Sequence, residues 1–167
     1  MTEPAVFYDA VADKLRNVPD GADVVPYADG LYAAVPADLR RFGSVRWNTV
    51  FWDWRRAGCI DFEQGNPAYA AVRLRAYVAG RNKRSLRARV YASMSNVAKA
   101  HEILTGHGWH WEWWIATLDG RDWAPAELAA EIERLYGAVV DAGAVWANQN
   151  VGGVDAPWDR SNRFLPL

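Results

Sequence analysis

Apolar and polar positions along the chain fall into short blocks of two kinds, alternating with a period near two or recurring with a period near three and a half. The opening segment, PAVFYDAVADKLRNV, has start signals in Thr2 and Pro4 and reads as an amphipathic helix closed by Pro19 to Gly21. ADVVPYADG is a β-rich run ending at Asp29 and Gly30, PADLRRF from Pro36 is a short helix, and SVRWNTVFW is a strand. AGCIDFE is the next strand, and the helix PAYAAVRLRAYVAG follows it with Pro67 in its first turn and Gly80 as its stop.

That strand and helix unit recurs. LRARVYAS is a strand, and SNVAKAHEILTG a helix with a Ser95 or Asn96 cap, Val97, His101 and Leu104 on one face, and Gly106 as terminator. HWEWWIATLDG is a strand. APAELAAEIERLYGAVVDAG is a helix with Leu128, Ile132, Leu135 and Val139 on one face and Gly143 closing it. AVWANQN is the last clear strand, and VGGVDAPWDRSNRFLPL reads as a tail with turn chemistry and little periodicity. The organisation is one domain over 1–167: an N-terminal helix and turn (1–21), a core (22–150) and a tail (151–167).

Alternating strands and helices predict an α/β fold with a parallel sheet, helices outside it and right-handed crossovers. The pattern contains about six strands, short of the eight in a full (β/α)₈ barrel. The expectation is therefore a compact, incomplete TIM-barrel-like (β/α) barrel. A doubly wound open sheet competes with it, but no Gly-rich phosphate turn follows the first strand.

Several apolar runs end in a polar side chain just before a turn: PYADG, IDFEQGN, ATLDG and WANQN. In a parallel barrel those ends share one face, so Asp29, Asp61, Glu63, Asp119 and Gln149 would converge on one bowl. Turns also attract Asp, Asn and Gly for local reasons, and each residue taken singly fits that explanation. Asp61 and Glu63 stand at i and i+2 of one strand, so both point to one side with Cα atoms roughly 6.6 Å apart. Two carboxylates that close do not ionise independently. Repulsion raises one pKa and leaves an acid beside a base, the division of labour glycoside hydrolysis needs. Cys59 shares their side and Ile60 and Phe62 take the other, so neither side reads as a plain solvated face.

Composition narrows the classes. With 51% hydrophobic and 23% charged residues the chain is not of disordered type. A net charge of -1 supplies no field for a nucleic-acid backbone or an anionic membrane. Cys59 is the single cysteine, which rules out an internal disulfide. Neither a signal peptide nor a membrane-length apolar run is expected from the sequence, and the compartment stays open.

GCIDFEQGNP, RARVYASMSNV, WWIATLDG and VWANQNVGGVDAPWD resemble the strand motifs of glycoside-hydrolase-like TIM-barrel domains of actinobacterial proteins and their phages, distant relatives of the family 25 lysozymes. The likeness spans the chain from Asp23 to Ser161, and its sharpest element is the D-x-E on one strand. The resemblance implies Glu63 as general acid. It implies Asp61 as the partner that orients the substrate acetamido group or stabilises developing positive charge. Asp29 would be the acid ending the first strand, with Asp119 or Asp155 as the late-barrel acid. Trp114, Tyr91 and Gln149 join them as substrate-facing candidates. The implied partner is a cell-wall glycan such as peptidoglycan, with no cofactor and no metal. The alternative is a phage virion module, such as a minor tail protein, or an envelope module that keeps the barrel and binds glycan without the reaction.

Rival motifs are weaker. HGWHWEWW offers His107, His110 and Glu112, but its alternating tryptophans say strand, not the helical i, i+4 spacing of a zincin. Cys59 lacks a nucleophile signature and reads as a small core residue. RNKRSLRAR places cations where a helix ends, which complements its dipole. Trp47, Trp52 and Trp54 fit under helices or offer flat faces to sugar rings.

Overall fold

The computed structural model describes residues 5–51, 53–151 and 159–165. Among these the chain forms a mixed α/β fold, a curled nine-stranded sheet with three α-helices and short 3-10 turns. The strands are β1 (Ala5–Ala10), β2 (Asp23–Pro26), β3 (Ser44–Val45), β4 (Asn48–Thr49), β5 (Cys59–Asp61), β6 (Arg89–Ser93), β7 (Glu112–Ala116), β8 (Val145–Val151) and β9 (Asp159–Arg163). The helices are α1 (Ala71–Asn82), α2 (Met94–Leu104) and α3 (Pro125–Tyr136). None is long and apolar enough to cross a membrane.

The order in the sheet is β3-β2-β1-β9-β8-β7-β6-β5-β4. Neighbours run parallel except at β9, which lies antiparallel between β1 and β8. The first and last strands of that order are separated in sequence by only Arg46 and Trp47. Arg46 N–H donates to Val24 O at 2.9 Å, Trp47 O accepts from Gly58 N–H at 2.9 Å, and Tyr27 bridges Asn48 in parallel. The sheet thus curls until both of its edges fall in one run of chain, 44–49.

Alternation along each strand sorts the core onto two sides. Ile60, Phe62, Val90, Trp113 and Ile115 face the helices and pack with Leu74, Val97, Leu104, Leu128 and Ile132. Phe7, Val25, Cys59, Tyr91, Trp114 and Trp146 fill the concave side. A third cluster, Leu15, Val18, Val24, Leu39 and Phe42, seals the sheet beneath the 3-10 turns Ala12–Asn17 and Pro36–Leu39.

Four expectations are corrected. Residues 5–10 are a strand, because β2 and β9 pair with both edges of this segment and Phe7 stacks at 4.9 Å on Trp146; only Ala12–Asn17 coils, as a 3-10 turn. The C-terminal stretch read as a tail contributes β9, held by ladders on both sides. Helix α3 stops at Gly137, whose φ of 69° is left-handed, so Gly143 does not close it, and Leu135 and Val139 stand 47% and 67% exposed. Gly80 lies inside α1 and does not end it: a Cβ there would sit 2.6 Å from the Trp54 ring, so glycine is what lets the indole lie on the helix.

Candidate active site

Strand β5 delivers the acids. Cys59 and Asp61 point to the concave side while Ile60 and Phe62 face the helices, and Glu63 follows just past the strand end. Register sets Asp61 beside Tyr91 on β6, Tyr91 beside Trp114 on β7, and Trp114 beside Ala147 on β8. Two more carboxylates come from strands that pair antiparallel: Asp9 near the end of β1 lies directly opposite Asp159 at the start of β9.

Asp9 is 2% exposed, and its Oδ1 has no hydrogen-bond partner. Burial, then the charges of Asp159, Asp61 and Glu63, hold its pKa well above the usual carboxylate range. Asp61 is 4% exposed, and its Oδ2 accepts a hydrogen bond from the Tyr27 hydroxyl at 2.9 Å. Burial and then the Glu63 charge raise the Asp61 pKa to about 7, against hydrogen bonding from Tyr27 and Asn66 that favours the ionised form. Glu63 is only partly buried; desolvation raises its pKa and a hydrogen bond from the Ser93 backbone opposes this.

Two tyrosines complete the cluster. Burial, then the negative charge of Asp9 and Asp61, keeps the Tyr27 phenol protonated far above its ordinary range. Tyr91 is raised in the same way by burial and by Glu63, Asp9, Asp61 and Asp159. Asp9 and Asp61 are both almost fully buried, with further negative charge near them, and do not both ionise at neutral pH. The site therefore holds protons and bases side by side.

The sequence-expected residues divide. Glu63 stands beyond the end of β5, outside the alternation that orients Asp61, yet near enough for its charge to raise the Asp61 pKa; among the described residues neither enters an ion pair. Asp29 does not join them. It follows β2, and its carboxylate is taken up by the Thr49 hydroxyl and, at 2.8 Å, by Val50 N–H, so it braces a loop. Asp119 is also apart: it sits exposed, accepting from Arg121 N–H at 3.1 Å and Trp123 Nε1 at 2.9 Å. Slight desolvation raises its pKa, but hydrogen bonds from Trp123, Arg121 and Thr117 outweigh it and hold the carboxyl below its ordinary value.

Trp114 points inward but is fully buried, donating from Nε1 to Ser161 Oγ at 3.0 Å with the Tyr91 ring edge-on at 4.7 Å. It supports the floor of the site rather than meeting solvent. Tyr91 is 6% exposed between Trp114 and the acids, and Gln149 is buried with Oε1 unpartnered beside Ala116 and Ser161. Asp155 lies outside the described residues, as does Trp52.

Outside the cluster, Glu112 is engaged by Arg89 at 2.8 Å, and His107 stacks on Trp109 at 4.3 Å. Among the described residues, no three His, Cys, Asp or Glu side chains are grouped as a metal site. The Cys59 thiol is pushed up to about 12 by burial, as expected of a core cysteine.

With this geometry in view, comparison of the chain with family models, curated proteins and solved structures gives no match.

Asp9, Asp159 and Tyr27 are the site residues that sequence reading misses. The signal for Asp9 was present: AVFYDA places Phe7 and Asp9 on one alternating face, the pattern of CIDFE, but the helix reading of the segment hid it. Asp159 opens a stretch, DRSNR, with no apolar residue, so nothing local marks it as a strand. Tyr27 lies inside a β-rich run whose polar end, Asp29, is the residue that local pattern marks.

Proposed function

We propose that the chain is a TIM-barrel-like glycoside hydrolase homologue acting on bacterial cell-wall polysaccharide such as peptidoglycan, with Glu63 as general acid and Asp61 as its partner. One observation carries the reading: Asp61 ends a parallel strand almost fully buried, with Glu63 partly buried just past it, and burial and the Glu63 charge raise Asp61 to about 7. The barrel is supported by the run 44–49. If β3 and β4 are one bent strand, the nine-stranded order becomes a ring of eight.

In the free site the proton rests on the deeper Asp61; the reaction needs it on Glu63, the more open acid, when that carboxyl meets the glycosidic oxygen. Its O–H bond breaks as the C1–O bond breaks, and the proton leaves on the departing sugar alcohol. Asp61, fixed from behind by Tyr27, lies deeper and orients the acetamido group, whose carbonyl oxygen closes on C1; the charge this creates favours the ionised form of Asp61. Water then attacks C1 and gives its proton to the Glu63 carboxylate, restoring the acid. Glu63→Gln removes the transferable proton while keeping the shape. Wild-type protein is expected to release reducing ends from actinobacterial cell wall, and Glu63→Gln to abolish this with an unchanged circular dichroism spectrum. Equal activity of the two, or silence of both across wall substrates, ends the enzyme reading.

The near-complete sealing of Asp9 and Asp61 favours a second reading, a barrel that binds wall glycan in a phage virion or cell envelope without cleaving it. Copurification with virions in fixed copy number, together with glycan binding but no reducing ends, would select it.

A further inference from the structure

Beside the acids lies a groove of about 550 Å³, within the size range of ligand clefts. One wall is the loop after β2, with Gly30, Leu31 and Tyr32, and the other joins Phe51 to the turn Gly65–Pro67. Leu31 is 96% exposed, Tyr32 51% and Phe51 38%. Single exposed apolar side chains are ordinary, but three gathered along one concavity mark a surface that receives something.

The groove is built and braced. Asp29 holds the Val50 N–H, Phe51 N–H donates to Thr49 Oγ1 at 3.1 Å, and Ala68 N–H donates to Val50 O at 2.8 Å. Gly30 has φ of 79°, and a Cβ on it would fall 2.5 Å from Val50 Cγ2, so the two walls close only over glycine. The groove borders the acid cluster through two of its lining residues, Asn66 and Tyr32. Asn66 N–H donates to Glu63 O at 3.1 Å through a turn that needs Gly65 at φ of 98°, and the Tyr32 ring lies 6.3 Å from Tyr27, the partner of Asp61.

We propose that this groove is a binding subsite for a hexopyranose ring of the glycan chain, stacked on Tyr32 and Phe51 next to the ring attacked at Glu63. The inference rests on the glycan reading of the acid site. The occupant follows from the chemistry: a pyranose presents an apolar C–H face to an aromatic ring and equatorial hydroxyls to its rim, where Asn66 and the backbone of Gly65 supply polar partners. The Gly65–Pro67 wall continues the turn that begins at Glu63, which sets an occupant of the groove beside that acid.

The test is calorimetric titration of Glu63→Gln protein with a soluble β-1,4-linked N-acetylglucosamine tetramer. Adding Tyr32→Ala or Phe51→Ala should each weaken binding about tenfold, Tyr32→Phe should preserve it, and Val139→Ser, exposed elsewhere, should change nothing. Unchanged affinity in both alanine variants, absence of binding in the Glu63→Gln parent, or preference of the groove for a stem peptide over the tetramer would overturn the proposal. Failure of the enzyme reading looks different: the tetramer binds with the expected dependence on Tyr32 and Phe51, yet wild-type protein cleaves nothing.

Discussion

The Tyr27 hydroxyl donates to Asp61 Oδ2 at 2.9 Å, joining the end of β2 to the end of β5 across the concave side of the sheet. This bond stabilises the ionised carboxylate, against burial and the Glu63 charge that stabilise the protonated one.

Tyr27→Phe removes that donor and nothing else of comparable size. The Asp61 titration should move above its value of about 7, and the acidic limb of the kcat/KM profile should move to higher pH with it. Below the limb, activity should fall roughly three- to tenfold. A uniform loss with an unmoved limb would make Tyr27 a packing residue. Carboxyl-carbon NMR of Asp61 reads the same shift without turnover.

Stability should depend on pH with an unusual sign. The folded pKa of Asp61 lies near 7, above its ordinary value of 3.8, so the folded state keeps a proton that the unfolded chain releases. Its stabilising contribution is complete below about pH 4 and is lost as pH rises through 7. Asp9 and Glu63, raised in the same direction, add to the slope. In urea unfolding between pH 4.5 and 8, Asp61→Asn should flatten the decline and be the more stable protein at pH 8, by an amount on the order of a few kcal/mol. Parallel curves for the two proteins would show that Asp61 is not desolvated in solution.

Gly80→Ala pits helix propensity against packing. Alanine inside an exposed helix gains about 1 kcal/mol over glycine, whereas overpacking costs about 1–3 kcal/mol. The new Cβ would meet Trp54 ring atoms at 2.6 Å, and an indole pressed onto a helix has little room to give. A lower melting temperature is expected, restored when Trp54→Ala is added. A rise in melting temperature for Gly80→Ala alone would show that Trp54 does not rest on α1.

Much of the fold was legible because it is local. Helix α2 is set by Val97 and Leu104 on one apolar face, and Gly106 turns the chain just beyond it with φ of 84°. Strand alternation alone puts Ile60 and Phe62 against the helices and leaves Cys59 and Asp61 on the other side. Periodicity reports the faces of one segment at a time. It carries nothing about which distant segment supplies the next hydrogen-bond ladder.

That is why tertiary structure alone decided β1 and β9. Residues 5–10 fit a helical and an alternating pattern equally, and DRSNR fits neither, yet each becomes a strand when the other lies beside it and β2 and β8 flank the pair. The same pairing puts Asp9 opposite Asp159 and brings both to the acids of β5, while Asp29, the acid that local pattern favoured, is spent on bracing a loop. The sequence by itself determined which residues could share a face. Which faces meet, and so which carboxyl groups keep their protons, depends on long-range strand pairing and the exclusion of water that comes with it.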